Sequence, residues 1–271
     1  MNIGSKNIAK YRTEKENLTD TRAKEKVQNL IPSLNIIAIC VGRWDSIAKC
    51  LPSWLSIVPK ERIFISTAPW DDKRPTSYDR SINWVEVDSQ RFSQPVWTNK
   101  AYEASLSIPS EWTLKIDADI TIENHDRLLN LTRVHSRLDK VAFVPCNVEG
   151  VISTIEVRDR SRGTCCGTCL FKTPLLSMIG GYDPRLKNWS TDDILVYREW
   201  KKNKVKFIGC PDVFRHEKHG DDVRFMNYAV KSWQVSLALN MGIVDKLLGD
   251  VKGRIEAMAE IKAKFLFAEK D

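Results

Sequence analysis

The 271-residue sequence has no apolar run close to the ~20 residues that a helix needs to cross a bilayer, which excludes a membrane span on hydropathy. Its first 29 residues are polar and charged and lack the apolar stretch of a secretory signal, so a soluble, cytoplasmic protein is expected. Cysteine is sparse for a disulfide scaffold: there are seven, an odd number, several inside apolar runs. Cys165-Cys166-Gly167-Thr168-Cys169 contains one C-x-x-C, but no second ligand pair follows at zinc-like spacing, so these read as small residues of a buried strand or loop. There is no internal repeat and no low-complexity segment. Lysine and arginine exceed the acidic residues by seven, but they are interleaved with acids rather than gathered into a stripe, and nucleic acid is not expected as a partner. A modest basic excess does suit an anionic ligand such as a nucleoside diphosphate.

What is present is an alternation of apolar runs and amphipathic segments. Residues 34–41 (LNIIAICV) read as a strand buried on both faces, followed by Gly42 and a helix capped by Asp45 or Ser46, with Ile47, Leu51, Trp54, Leu55 and Val58 at helical spacing. Further strands are predicted at 62–67, 82–87, 112–116 and 141–145. Helices are predicted at 95–107 and again after residue 119, the latter with Leu128, Leu131, Val134 and Leu138 on one side. Strands alternating with helices imply an α/β fold with a mainly parallel sheet. From residue 147 the pattern is less regular: Gly180-Gly181-Tyr182-Asp183, a helix over 191–202, a strand over 205–208, and a helix-rich stretch over 224–267 broken at Gly242 and Gly249.

Asp117-Ala118-Asp119 follows the strand ending LKI. Residues two apart at a strand end face the same side, so both carboxylates can meet one hard divalent cation, Mn²⁺ or Mg²⁺, that bridges them to a diphosphate. In open α/β sheets ligands bind beyond the carboxyl ends of the strands, where this pair falls. D-x-D patterns are common by chance; the strand before it gives this one weight. Asp192-Asp193 opens a predicted helix after GGYDPRLKNWST, and acids there also complement the helix dipole. Two of the chain's four histidines lie close together, His216 and His219, and imidazole is an acceptable ligand for Mn²⁺ beside carboxylates.

The succession LNIIAICVGRWDSIAKCLPSWL, WTNKAYEAS, WTLKIDADI and GTCLFKTPLLSMIGGYDPRLKNWSTDDILVYREW resembles glycosyltransferases of the GT-A fold, family-2-like, and their galactosyl- and N-acetylgalactosaminyltransferase relatives. The resemblance covers residues 34 to 219. It implies a Rossmann-like nucleotide-binding sheet, a nucleotide-sugar donor (usually a UDP-sugar), a Mn²⁺ or Mg²⁺ ion at the Asp-x-Asp, a carbohydrate or other hydroxyl acceptor, and inversion at the anomeric carbon. Carried over residue by residue, Asp117 contacts ribose or metal and Asp119 ligates the metal, with His216, or His219 in its place, as a further ligand. Arg43, Thr67, Asp71 or Asp72, Asn99, Gly181 and Trp189 fall on the nucleotide-sugar side. The catalytic base is Asp193 counting from Trp189, or Asp192 counting from the helix face through Leu195 and Arg198. Gly180 and Gly181 suit a close backbone approach near a sugar. Trp97, Trp189 and Tyr182 can stack on pyranose rings, although core packing is the commoner fate of a tryptophan.

The expected organisation is a polar leader over 1–30, a transferase domain over 31–220 (nucleotide-binding half 31–146, acceptor half 147–220) and a helical extension over 221–271. The apolar residues Trp233, Val235, Leu237, Leu239, Ile243, Leu247 and Leu248 of that extension are expected to pack on the chain's own core, with a membrane surface or a second protomer as the other options. Two competing functions are weaker. A nucleotidyltransferase requires a Gly-rich loop with a basic residue after the first strand, where this sequence offers only Gly42-Arg43. A non-catalytic nucleotide- or nucleic-acid-binding module leaves the paired acids without a purpose.

Overall fold

The structure, a computed structural model, describes residues 33–71, 74–75, 79–87, 93–146, 167–186, 192–217 and 242–268. The predicted leader, Asp72, Trp189, His219 and residues 224–241 lie outside them. Strand β1 (Leu34–Cys40) is the first apolar run, and it lies in parallel between β2 (Ile63–Thr67) and β4 (Trp112–Lys115). With β3 (Asn83–Glu86), β6 (Val141–Cys146), β7 (Cys169–Lys172) and β8 (Lys206–Pro211) it forms a seven-stranded sheet of order β3-β2-β1-β4-β7-β6-β8. Strand β7 is antiparallel to both its neighbours, while β6 and β8 are parallel, so the sheet is mainly parallel. Sequence reading missed β7: four buried residues, Cys-Leu-Phe-Lys, show no alternation, and their extended state is imposed by pairing on both sides. It also missed a two-stranded ribbon, β5 (Ile120–Ile122) with β9 (Phe214–His216), each three residues long.

Alternating residues of β1 serve two cores, as a strand's two-residue period requires. On one face Ile36, Ala38 and Cys40 meet Ile47, Cys50 and Trp54 of α1 (Trp44–Leu55) and Leu128 of α3 (His125–Val134). On the other, Ile37 and Phe64 meet α2 (Gln94–Ser105), α4 (Pro174–Met178) and α5 (Asp192–Lys202) through Ala101, Tyr102, Leu175, Val196 and Trp200. Helix α1 starts at Trp44 with Arg43 at the N-cap and no side-chain cap bond, so neither Asp45 nor Ser46 caps it; Asp45 lies in the first turn, where it complements the dipole. Helix α3 ends at Val134, which is exposed. Leu138 falls beyond the helix, so the expected four-residue apolar face narrows to Leu128 and Leu131.

The described part of the C-terminal stretch is two helices, α6 (residues 242–247) and α7 (Val251–Ala268). Gly242 is the first described residue of this stretch, and Gly249, at φ +89°, separates the two helices. They pack in part on this chain's own core: Val244 and Leu247 join Leu186, Ile194 and Leu195, and Met258 joins Val41, Ala68, Val87, Val96 and Trp97 beyond the ends of β1–β3, whereas Ile243 and Leu248, expected to pack there, are exposed. None of the described helices is long and apolar enough to cross a membrane.

A buried ionic network ties α7 down. Arg254, fully buried, donates through Nε to Asp183 Oδ2 at 3.3 Å, through Nη2 to Glu199 Oε1 at 2.9 Å, and through Nη1 to the Ile179 carbonyl. Arg185 grips Asp183 from the other side in two bonds of 2.9 and 2.7 Å. Removing one member of such a network strands its partners as uncompensated buried charges, at a cost of about 3–5 kcal/mol. Urea denaturation should therefore find Arg254→Met destabilised by that order, while Lys252→Ala, on the exposed face of the same helix, leaves the midpoint where it was.

Candidate active site

The loops after β1, β2 and β4 converge at the carboxyl edge of the sheet, where chain order switches direction between β1 and β4. After β1, Gly42 takes φ +64°, and its N–H donates to Asp71 Oδ2 at 2.6 Å; the indole Nε1 of Trp44 donates to the same oxygen at 2.8 Å. Asp71, on the loop after β2, thus holds both neighbours of Arg43, Gly42 by its backbone N–H and Trp44 by its indole. Thr67 ends β2 fully buried, its hydroxyl hydrogen-bonded to none of the described residues.

Asp117 and Asp119 do not stand side by side at a strand end as expected. The chain leaves β4 and turns, with Ile120 N–H bonded to the Asp117 carbonyl at 3.1 Å, and the two side chains find different partners. Asp119, almost fully buried, receives Arg43 Nη1 on Oδ2, and His216 Nε2 lies 3.6 Å from the same oxygen. The small ribbon arranges this meeting: Ile120 is in register with His216, and Glu217 N–H donates to the Asp119 carbonyl at 2.7 Å. Helix α1 holds the ribbon in place through Trp54 Nε1 to the Ile120 carbonyl (2.9 Å) and Ile122 N–H to Ser53 Oγ (3.0 Å).

Asp117 turns to Lys115, whose ammonium is 3.1 Å from Asp117 Oδ1 and 3.9 Å from Asp193 Oδ1. Gly167 lies tightly against the Asp117 carboxylate: a Cβ there would sit 2.2 Å from Oδ2. Burial alone would push the Lys115 pKa down, but the carboxylates of Asp117, Asp193 and Asp192 outweigh it and hold the ammonium charged. Tyr182, predicted as a sugar-stacking residue, is instead buried, and its hydroxyl donates to Asp193 Oδ1 at 3.4 Å.

The acidic pair at the start of α5 divides. Asp192 is buried, with Oδ2 bonded to no described group; burial first, then the Asp193 carboxylate, pushes it up to about 8. Burial also raises Asp193, offset in part by Lys115 and by the Tyr182 hydroxyl; its side chain keeps some solvent contact and faces the Lys115–Asp117 cluster. Asn99 is spent on the protein itself: its amide donates to the Tyr182 carbonyl and accepts from Tyr182 N–H, both at 2.8 Å. The close approach foreseen at the glycine pair is likewise internal, since a Cβ on Gly181 would come within 2.7 Å of Asn99 Oδ1 and one on Gly180 within 3.2 Å of Ile255.

Among the described residues no group of three or more His, Cys, Asp or Glu side chains could hold a metal ion. Asp119 and His216 do supply a carboxylate oxygen and an imidazole nitrogen converging on one point, a donor set that fits a cation completing its shell with water and phosphate oxygens rather than an all-protein cage.

No family model matches the sequence, and no curated protein does. Solved structures do. The 1–349 fragment of S. aureus TarS is 16% identical, with TM-score 0.52, covering 68% of this chain and 60% of its own. GalNAc-T7, in a structure with UDP, GalNAc and Mn²⁺, is 9% identical, with TM-score 0.56, covering 78% of this chain and 48% of its own. Both neighbours are GT-A glycosyltransferases.

The chain has the GT-A fold.

It spans about three fifths of the TarS fragment and about half of GalNAc-T7. Of the residues marked in the sequence, the fold gathers Arg43, Asp71, Asp117, Asp119, Asp193 and His216 at one edge. Lys115 was missed, although a lysine inside WTLKI, two residues before an aspartate, was a visible signal.

The Asp192 shift has a consequence for stability. Between about pH 4, the ordinary aspartate range, and about pH 8 the folded chain keeps a proton that the unfolded chain has released. Stability from this group is therefore lost as pH rises through that window. Urea midpoints at pH 5 and pH 8 should show a decline in the parent that is smaller in Asp192→Asn.

Proposed function

We propose that the protein is a metal-dependent glycosyltransferase that moves a hexose or N-acetylhexosamine from a nucleotide-sugar, a UDP-sugar, to a carbohydrate hydroxyl with inversion. The observation that carries this reading is the meeting of Asp119 and His216 on the β5–β9 ribbon at the carboxyl edge of a GT-A sheet. GalNAc-T7, which shares the fold, holds UDP, GalNAc and Mn²⁺ in its structure. Asp119 and His216 are the residues that would hold Mn²⁺ or Mg²⁺, and a dication held there would offset the charge that builds on a departing diphosphate. Arg43, in contact with Asp119, is the guanidinium that would meet that diphosphate.

Asp193 is the better base of the two acids. A base must touch the acceptor hydroxyl and be ionised when it does. Asp192 is buried and held protonated at neutral pH, whereas Asp193 faces the cluster and sits opposite Lys115. In the transfer the acceptor oxygen bonds to the anomeric carbon as its proton passes to Asp193; the bond from that carbon to the diphosphate oxygen breaks, and the nucleoside diphosphate leaves with the electron pair. Lys115 keeps the carboxylates of Asp117 and Asp193 on either side of one charge. Asn99 holds the turn that carries Tyr182 against Asp193.

Calorimetric titration with UDP, GDP and CDP, each with and without Mn²⁺, should find one nucleotide, UDP, bound with metal dependence, and Asp119→Ala should abolish that dependence. Unchanged UDP affinity in Mn²⁺ for that variant would overturn the ligand assignment. With a competent acceptor, Asp193→Asn should lower turnover by about 10²–10⁴-fold while keeping donor affinity. A larger loss in Asp192→Asn would exchange the two roles.

A further inference from the structure

Arg43 and the proposed cation compete for one atom. Arg43 Nη1 contacts Asp119 Oδ2, the oxygen that faces His216 Nε2. A lone pair engaged by a guanidinium N–H is not free for a metal, and the guanidinium and a dication repel each other at that distance. The pairing is not incidental to a mobile loop. Gly42 N–H and Trp44 Nε1 are both anchored on Asp71, and the Arg43 carbonyl accepts the Ile47 N–H at 3.0 Å in the first turn of α1. The backbone of Arg43 is therefore set on both sides, so any move of the guanidinium off Asp119 runs through the torsions of a side chain 19% exposed, away from a carboxylate that is 4% exposed. Asp119 needs a counter-charge, because a carboxylate in that surrounding is costly alone.

Resting on the metal-dependent reading above, we infer that Arg43 is an internal stand-in for the cation: it occupies Asp119 until metal and nucleoside diphosphate arrive together, and then transfers to the diphosphate. The two ligands are thereby coupled. Metal alone must break the Arg43–Asp119 pair without supplying an anion in exchange, and binds weakly. With a diphosphate present the displaced fork gains a bidentate anionic partner, so each ligand strengthens the other by the same factor. The arrangement disfavours loading of the site by free cations and ties metal occupancy to the presence of donor.

The test is Mn²⁺ titration of the full chain by calorimetry, alone and with saturating UDP, on the parent, Arg43→Met and Arg43→Lys. Arg215→Gln serves as control, since it removes an exposed charge from the neighbouring strand β9. The parent should bind Mn²⁺ alone at least tenfold more weakly than with UDP. Arg43→Met should bind Mn²⁺ alone at least tenfold more tightly than the parent, with the UDP enhancement reduced by the same factor; Arg43→Lys should fall between them, and Arg215→Gln should match the parent. The rise in Tm on adding Mn²⁺ without nucleotide reports the same order and reveals any variant that fails to fold. Mn²⁺ affinity in Arg43→Met no higher than in the parent, with UDP still enhancing it in the parent, overturns the stand-in and leaves the transferase reading intact. An equal gain in Arg215→Gln overturns it too, as a general charge effect. Absence of Mn²⁺ binding in every protein and condition overturns both.

Discussion

A single ammonium sits among three carboxylates at the centre of the molecule. Lys115 lies on β4 and is almost completely buried; the acids around it come from the turn after its own strand and from the first turn of α5. Buried charges persist only when paired and hydrogen-bonded, so the position of α5 relative to the sheet is constrained by charge as well as by packing. Burial first, and then the neighbouring Asp193 carboxylate, raise Asp192 so that it retains a proton, and the one ammonium offsets this only in part. The acidic pair is divided into an almost fully buried member and one that keeps some solvent contact opposite Lys115, a separation of environments that acid–base sites commonly employ. Arg43 performs the matching service for Asp119 a few residues away.

The frame was legible because its signals were local. β1 and β2 are continuous apolar runs, the loops after them carry Gly42 and Asp71, and Lys115 to Asp119 join a strand to a turn in consecutive residues. The parts that escaped are those whose state depends on distant partners. β7 is extended because β4 and β6 flank it. The β5–β9 ribbon joins residues more than ninety positions apart, as in the Thr121 hydroxyl bonded to the Arg215 carbonyl. Without that ribbon the choice of His216 had rested on resemblance; with it the register supplies a physical reason for the meeting with Asp119.

The site residues divide along the same line. Asp71 (with Asp72 as the alternative), Asn99, Gly180 and Gly181 were expected near the ligand, and in the structure each makes a tight contact inside the protein: Asp71 with the loop after β1, Asn99 with the backbone of Tyr182, the glycines with Asn99 and α7. Sequence pattern identifies residues that a site requires, but a residue that shapes the backbone beside a ligand and one that touches the ligand leave the same trace. Only the hydrogen-bond partners separate them. Tyr182 shows the reverse: read as a stacking platform, it is a buried hydroxyl pointed at Asp193.

The grip of Arg254 on Asp183 spans 71 positions of sequence, and it closes the turn that bears Tyr182. Domains build up from their N-terminal side as a chain is synthesised. All the acids of the site, with Lys115 and His216, therefore emerge from the ribosome well before the arginine that locks their scaffold. Until α7 has emerged, Asp183 has Arg185 but not Arg254, Glu199 has no Arg254, and the turn at Tyr182 relies on Asn99 and Arg185 alone. The last tie on the turn beside the candidate site is thus made late in the making of this chain, by a helix that contributes no atom to the chemistry.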